Sequence, residues 1–390
     1  MATYEQYLAK ISSQTRKLKV KVVFLRDEDE TDAFEFTEDL DSSSGSVSVQ
    51  RQNGVRRTCD LTLINNNGDY FPNFDGGIWW RRKFQVFMGI DCQSNVALQD
   101  IGEEDIFWVS QGVFCLENPR VISNFSSKTV TIRGSDKFCV IDGTLGGETD
   151  GTYIVTVGTN ILTAVQAVLD LVGDKKAPIL DASLTSNVTP YTIEIAMGGS
   201  LSEVLIQLAN MVSANVYYNT EGQLVFAVDE LDNTKPSLFD FTDEDFLYMG
   251  SSQEYKFSDL YNSILVVGDN INGNIYDSRV QYTNLLSPVS IPNMGFERVK
   301  VVEDPNIDTE ERALLRAEYE LKRLVCLQSA IDVSCISVLH LDVDNVFSLT
   351  DLSMNLDNAR FLINSFTLPL QTSGSMSLNA VLTQEVDFGN

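Results

Sequence analysis

The segment SSKTVTIRGSDKFCVIDG, from Ser126 to Gly143, begins as a β-strand and then changes character. Val130 and Ile132 alternate with polar residues, which is the period-two pattern of a half-buried strand. Gly134 interrupts this pattern and is predicted to supply a turn, and Asp136 is predicted to cap the element that follows. The Arg-Gly-Ser-Asp-Lys motif lacks the spacing of a phosphate-binding P-loop, so we interpret it as the corner that closes a β-region.

Short strands separated by polar turns occupy the chain around this corner, from Lys17 to Ile141. The clearest, residues 58–64, alternates cleanly and stops at the turn sequence NNNG, residues 65–68. Further strands are predicted at residues 19–24, 46–49, 84–89, 107–109 and 113–116. This density of short strands predicts a barrel or curled sheet, which we assign to residues 1–150.

Residues 151–236 predict a small α+β domain. Apolar residues at helical spacing over residues 161–172 predict a helix that ends at Gly173. Ser200 and Glu203 have the pattern of a capping box that opens a second helix. The polar segment 232–236 bounds the domain on its C-terminal side.

Residues 237–390 return to strands and contain one long helix, predicted over about residues 309–328. Asp308 and Glu311 belong to a second capping-box pattern, and an apolar face runs from Leu314 to Leu324 and on to Gln328. The strands are predicted at residues 333–338, 347–349, 360–366 and 376–381.

A weak internal repeat relates the first and third regions. Residues 34–39 read FEFTED and residues 239–244 read FDFTDE, and an alternating strand follows in each copy, at residues 59–64 and 263–267. Each copy closes on two strands joined by a polar turn, 113–116 with 130–132 and 361–368 with 376–381. The sequence therefore predicts a mainly β fold with an α+β insertion, in which two similar tube-type β-barrel domains flank the small α+β domain.

The charge balance is strongly acidic. Lys and Arg number 28 against 55 Asp and Glu, which gives a net charge of −27. Such a field repels nucleic acid, so sequence-specific DNA binding is disfavoured. The basic runs at residues 16–21 and 81–83 lie beside alternating apolar residues and are interpreted as solvated strand faces.

The cysteines and the N-terminus indicate a reducing compartment. Six cysteines occur without metal-ligand spacing, and several lie in apolar strand patterns as small buried residues do. The first residues lack the apolar region of a secretory signal, and no run reaches the length of a membrane span. We expect a chain that folds with free thiols in the cytoplasm.

The candidate catalytic and metal-binding residues do not form a known catalytic motif, so no enzymatic activity is predicted. His340 is the one histidine and has no nucleophile motif near it, so we interpret it as a surface or satisfied core residue. The acidic runs at residues 27–30 and 240–245 are interpreted as solvated loops. No catalytic, cofactor-binding or metal-binding residue is predicted, and no cofactor.

Trp79 and Trp80, which follow Gly76 and Gly77, are open to two interpretations. They are favoured as interface or core aromatics at the start of a strand, because tryptophan is enriched at protein interfaces. The alternative is a sugar-stacking platform, which would make the chain a carbohydrate-binding or glycan-degrading β-protein of a virion that uses Trp79, Trp80 and an acidic pair.

The order of elements resembles the baseplate hub proteins of bacteriophage tails and related contractile particles. The segments that carry the resemblance are residues 57–63, 83–89, 112–116, 129–137, 259–268, 311–324 and 360–366. The resemblance implies a homotrimeric ring with two tube-like β-domains per chain, which adapts a sixfold tail tube to a threefold tip or spike. It implies a virion structural protein of the tail baseplate, assembled in the cytoplasm of the host bacterium.

The resemblance also implies partners and a role in DNA ejection. The partners are the tail tube or a distal tail protein, the tip or spike protein and, as a further candidate, the tape measure protein. Three copies would carry three times −27, or −81, and acidic charge along the bore would let DNA pass without adhering. Because the chain ends at Asn390, soon after the last predicted strand, we expect no fused lysozyme or peptidase domain.

Overall fold

The computed structural model describes residues 2–26, 30–41, 43–73, 78–93, 105–125, 127–228, 235–254, 260–271, 274–304, 307, 309–326, 330–371 and 374–383. Several residues named above lie outside these ranges, namely 27–29, Gly76, Gly77, Ser126, 232–234, Asp259, Asp308, Gln328 and Asn390.

Strands dominate the described residues. They are β1 (Leu18–Leu25), β2 (Asp32–Glu35), β3 (Ser46–Gln50), β4 (Arg57–Ile64), β5 (Lys83–Asp91), β6 (Ile106–Leu116), β7 (Arg120–Ser123), β8 (Lys128–Asp136), β9 (Tyr153–Val155), β10 (Ile179–Leu180), β11 (Ile193–Ile195), β12 (Ala214–Tyr218), β13 (Leu224–Val228), β14 (Ser237–Thr242), β15 (Tyr248–Glu254), β16 (Ser263–Ile271), β17 (Asn274–Gln281), β18 (Val299–Asp304), β19 (Ala330–Ile336), β20 (Val346–Asp351), β21 (Leu356–Pro369) and β22 (Ser375–Leu382). The α-helices are α1 (Tyr4–Ile11), α2 (Ile161–Val172), α3 (Leu201–Met211), α4 (Ile291–Met294) and α5 (Glu310–Cys326). The prediction of a mainly β fold is confirmed.

One large sheet contains strands from both ends of the chain. Its main path runs β15-β19-β22-β21-β3-β4-β8-β6-β5-β1-β2, with β7, β14 and β20 paired alongside. The two ends join where β21 pairs antiparallel with β3, with Thr367 opposite Ser48. The pairings of the described strands leave this path open from β15 to β2, so they do not form the closed barrels that the sequence predicted.

Apolar and polar residues alternate along the strands of this sheet, so the apolar residues of both regions lie on one face and form a shared core. Val47, Leu61 and Ile132 from the first region lie in the same buried cluster as Val333 and Leu378 from the last region. Their polar neighbours along each strand lie on the opposite face, as a sheet with one solvated side requires. The core is therefore continuous across the pairing of β3 with β21.

Two predicted strands, residues 107–109 and 113–116, are one strand, β6. The pairing with β5 shifts register between Val86 and Phe87, which is a β-bulge, and Gly112 on the opposite strand has a φ of +145°. The sequence suggested a break there because a bulge interrupts the period-two pattern without ending the strand.

The α+β region forms a second hydrophobic cluster built on α2 and α3. Asn160 caps α2, and Gly173 ends it in the left-handed conformation, as predicted. Ser200 caps α3, but its side chain accepts the N–H of Ser202, so the reciprocal capping box with Glu203 that the sequence predicted is not the cap that forms.

A third cluster lies around α5, which packs on the sheet β17-β16-β18. Thr309 accepts the N–H of Arg312 at 3.3 Å at the start of this helix. The internal repeat fails at this point. Residues 59–64 lie in β4 of the large sheet, whereas residues 263–267 lie in β16 of this separate sheet. The pairing of β21 with β22, the last part of the repeat, is confirmed.

Among the residues that the structure describes, none of the helices combines the length and the apolar character that crossing a bilayer would need.

Candidate functional site: a buried polar junction

Gly134 lies inside β8 and does not form the turn that the sequence predicted. A Cβ atom at this position would lie 2.9 Å from the carbonyl oxygen of Cys115 and 2.9 Å from the ring of Phe84. The glycine therefore allows β6 and the Phe84 ring to approach the strand closely. The corner itself comes later, at Asp136 and Lys137, where a 3-10 helix (Lys137–Val140) begins.

Asp136 caps that helix, as predicted, and also holds the turn before β4. It is buried, and its carboxylate accepts three backbone N–H groups: Phe138 at 3.0 Å, Arg56 at 2.8 Å and Arg57 at 2.9 Å. Burial raises the pKa of Asp136 to about 6, although the three N–H groups oppose the rise. The side chain thus fixes the start of β4 against the end of β8.

Two arginines connect this turn to the last region of the chain. Arg57 is buried and pairs with Asp342, and Arg56 pairs with Asp344 at 2.8 Å. Burial alone would raise the pKa of Asp344, but the guanidinium groups of Arg56 and Arg51 keep it below its usual value. The guanidinium of Arg56 also lies 3.5 Å from the ring centroid of Tyr217 in β12. These contacts join all three regions at one place.

Whereas Asp136 contacts the start of β4, the side chain of Lys137 contacts the α+β region. Its Nζ lies 2.8 Å from Asp174 Oδ1, 3.0 Å from the Gly222 carbonyl oxygen and 2.9 Å from Glu30 Oε1. Tyr218 donates a hydrogen bond to the other oxygen of Asp174 at 2.7 Å. Lys137 is therefore a buried ammonium whose charge and donors are satisfied by groups from three separate segments.

The ion pairs of Glu30 contradict two interpretations made from the sequence. Its side chain is 8% exposed and pairs with Lys83 at 2.7 Å and Lys176 at 3.2 Å, so it is not part of a solvated loop. Lys83 is likewise a partner in this cluster and not one of a row of solvated strand residues. Burial alone would raise the pKa of Glu30, but Lys137 and then Lys83 lower it to about 2.

We name this set of residues the polar junction: Glu30, Arg56, Arg57, Asp136, Lys137, Asp174, Asp342 and Asp344. Its charges are paired or hydrogen-bonded, and the carboxylates face arginine, lysine and backbone N–H groups. Such an arrangement positions chain segments relative to one another. No local pattern in the sequence indicates this junction, because its members are spread over more than three hundred positions.

His340 is a satisfied residue in an aromatic cluster, as predicted, and lies in a turn. The Tyr7 hydroxyl lies 2.9 Å from its Nδ1, and the Leu238 carbonyl oxygen lies 3.4 Å from its Nε2. The rings of Tyr4 and Phe239 pack against it. Burial lowers the pKa of His340.

Trp79 and Trp80 precede β5 and are exposed, by 42% and 57% respectively. The interpretation as core aromatics is therefore wrong, whereas an interface and a stacking role both require such exposure. The prediction that several cysteines are buried is confirmed for Cys59, Cys115 and Cys139.

Solved structures with a similar fold include tail proteins. The chain is similar to the tail protein from Neisseria meningitidis MC58, with a TM-score of 0.66 and 13% identity over 95% of this chain and 98% of that chain. It is similar to the 43 kDa tail protein of prophage MuSo2 from Shewanella oneidensis, with a TM-score of 0.62 and 14% identity over 93% of this chain and 97% of that chain.

A third similar structure is the E. coli c3393 protein, a component of the type VI secretion system that exhibits structural similarity to the T4 bacteriophage tail proteins gp27 and gp5. Its TM-score is 0.50, with 11% identity over 95% of this chain and 78% of that chain. No family model and no curated protein sequence matches the chain. The chain thus has the fold of bacteriophage tail proteins, and the resemblance predicted from the sequence is confirmed.

Proposed function

We propose that this chain is a structural protein of a phage tail or tail-like particle, and that it acts as the baseplate hub between tail tube and tip. The observation that carries the proposal is the continuous sheet, in which β3 from the first region pairs with β21 from the last. A hub must transmit load between a tube and a spike, and one sheet with one core suits this better than two loosely linked domains. The fold likeness to tail proteins supports the same role.

The proposed assembly is a homotrimer. Each chain would contribute two β-regions, residues 1–150 and 237–390, joined in one sheet, so that three chains place six such regions around the axis, with the α+β domain of residues 151–236 outside them. A closed ring would also protect the end strands of the sheet, β15 and β2, since unpaired strand edges invite aggregation. The tail tube, the tip protein and the tape measure protein are the partners proposed for this ring.

The open face of the large sheet supports a role in lining an aqueous passage. Six hydroxyl side chains stand in direct register across six neighbouring strands: Ser334, Ser377, Thr367, Ser48, Thr58 and Ser135. Serine is depleted from the cores of protein interfaces, so a face of this kind suits contact with water. Short hydroxyl groups, and not only acidic charge, would then let DNA pass without adhering.

Light scattering coupled to size-exclusion chromatography tests the proposal. A trimer of 43.4 kDa chains has a mass near 130 kDa, and negative-stain images along its axis should show a ring. An obligate ring of this kind should bury more than about 2,000 Å² at each interface. A monodisperse monomer at micromolar concentration would contradict the hub role.

A further inference from the structure

A cavity of about 370 Å³ is lined in part by Arg81, the residue that follows the exposed tryptophan pair in the sequence. Arg81 forms one wall, residues 147–153 form a second, and the end of α2 with Leu171 and Val172 forms a third. This volume falls in the range of small-molecule sites, about 300–1,000 Å³. The polar junction does not include these residues.

Arg81 is held in place in an unusual backbone conformation. Its φ is +64°, in the left-handed region that non-glycine residues rarely adopt, and its N–H donates to the Leu116 carbonyl oxygen at 3.2 Å. Its guanidinium carbon lies 5.5 Å from the centroid of the Trp80 ring. A Cβ on Gly146 would lie 3.6 Å from an Arg81 nitrogen, so the side chain lies between the indole and Gly146, the residue just before the second wall. Strained residues of this kind cluster at ligand-binding sites.

The chemistry around Arg81 matches a sugar ring. Val140 and Leu171 supply an apolar surface, while Glu148, Asp150 and Thr152 supply oxygen acceptors for hydroxyl groups. The Trp80 ring, 57% exposed, offers a flat apolar face next to a guanidinium donor. An apolar platform beside a few converging polar groups is the usual composition of a small-ligand site.

Charge narrows the class of sugar. Two carboxylates line the cavity against one guanidinium, and the whole chain carries −27. This field disfavours uronic or sialic acids and favours uncharged hexoses. A protein partner fits less well, because charged residues are depleted from the cores of protein interfaces and Glu148 and Asp150 are both exposed.

We propose that the cavity between Arg81, Glu148 and Asp150, together with the Trp80 ring, binds a neutral hexose-based glycan. The carboxylates accept sugar hydroxyls, Arg81 donates to a ring or hydroxyl oxygen, and Trp80 stacks on the apolar sugar face. The idea that this site contacts glycans of a host surface depends on the proposed tail function. The ability of the site to bind sugar does not depend on that function.

The test is binding of the whole chain to an array of neutral oligosaccharides of glucose, galactose and N-acetylglucosamine, followed by calorimetry on the best ligand. We expect Trp80→Ala and the double variant Glu148→Gln, Asp150→Asn each to raise Kd at least about tenfold, equivalent to about 1.4 kcal/mol. Phe296→Ala is the control, because Phe296 is a comparably exposed aromatic (54%) on the connection between β17 and β18, and Kd should not change.

Three outcomes would overturn the site: no neutral oligosaccharide binds, Kd is the same in all variants, or Trp80→Ala lowers the particle mass in light scattering instead of weakening sugar binding. The last outcome would make the tryptophan pair an interface between copies. A trimer that binds no sugar would refute the site alone, whereas a monomer that binds sugar would refute the hub role alone.

Discussion

Lys137 donates a hydrogen bond from Nζ to Asp174 Oδ1 at 2.8 Å, which joins the end of β8 to the segment after α2. Its neighbour Asp136 accepts the N–H groups of Arg56 and Arg57 on the other side of the strand. Two adjacent buried residues of opposite charge therefore bind two different parts of the chain. Separating either residue from its partners would leave a buried charge unpaired, which is energetically costly. These contacts therefore fix the position of the α+β region relative to the large sheet.

Lys137→Met tests this role. The substitution keeps a long apolar stem but leaves the Asp174 and Glu30 carboxylates without their shared cation, so we expect a loss of about 3–5 kcal/mol in the free energy of unfolding. Urea denaturation followed by circular dichroism measures it. Lys128→Met is the matched control, an exposed lysine at the first position of β8, and should change the free energy by less than about 0.5 kcal/mol. Equal effects of the two substitutions would show that the buried contacts of Lys137 contribute nothing.

Glu30 predicts a specific pH dependence. Its pKa in the folded chain is about 2, below the ordinary 4.5, so its ionised form stabilises the fold above pH 4.5. This stabilisation should be lost as the pH falls from 4.5 towards 2. Glu30→Gln should remove that part of the decline in a series of denaturation curves, while Glu194→Gln, on the exposed side of β11, should keep it. A decline of unchanged size in Glu30→Gln would contradict the assignment.

Asp136 predicts that stability changes with pH in the opposite direction, over a higher pH range. Burial raises its pKa to about 6, so the folded chain holds this proton more tightly than the unfolded chain does. Its ionisation costs stability, and that cost should disappear as the pH falls from 6 towards 4. NMR titration of the uniformly labelled chain should place the Asp136 carboxyl shift near pH 6, and a midpoint below 4 would contradict the prediction.

The sequence predicted the features that depend on consecutive residues and missed those that depend on contacts between distant residues. The strand at residues 58–64 and the helix at residues 161–172 were predicted closely, because alternation and capping are properties of consecutive residues. Gly134 was misassigned because its role depends on Phe84, fifty positions earlier. Glu30 was misassigned because its lysine partners come from three separate segments. Period-two alternation also says nothing about which sheet a strand joins, so the repeat at residues 263–267 could not be tested from the sequence.

Gly134→Ala tests the close approach at β8. The added Cβ would meet a backbone oxygen and an aromatic ring at 2.9 Å, which is closer than real Cβ contacts, so we expect a loss of about 1–3 kcal/mol in stability. Gly151→Ala is the control, since a Cβ there meets nothing within 4 Å and the backbone φ is not positive. That change should be neutral or stabilise by up to about 1 kcal/mol. A neutral Gly134→Ala in thermal denaturation would show that β6 and Phe84 can move away at no cost.

The pair Arg56 and Asp344 tests whether the junction couples the first and last regions of the chain. A double-mutant cycle with Arg56→Met and Asp344→Asn should give a coupling energy of about 1–3 kcal/mol, because the Arg56 side chain is fully buried and stacks on Tyr217. Asparagine suits position 344, where φ is +67°, so the substitution removes charge without adding backbone strain.

The pair Arg133 and Asp60 provides the matched cycle, with the same separation of 2.8 Å but side chains that are 70% and 50% exposed. Solvent screening should limit that coupling to about 0.2–1 kcal/mol. A larger coupling for Arg133 and Asp60 than for Arg56 and Asp344 would mean that burial adds nothing to the junction. The join between the first and last regions would then depend on the pairing of β3 with β21 alone.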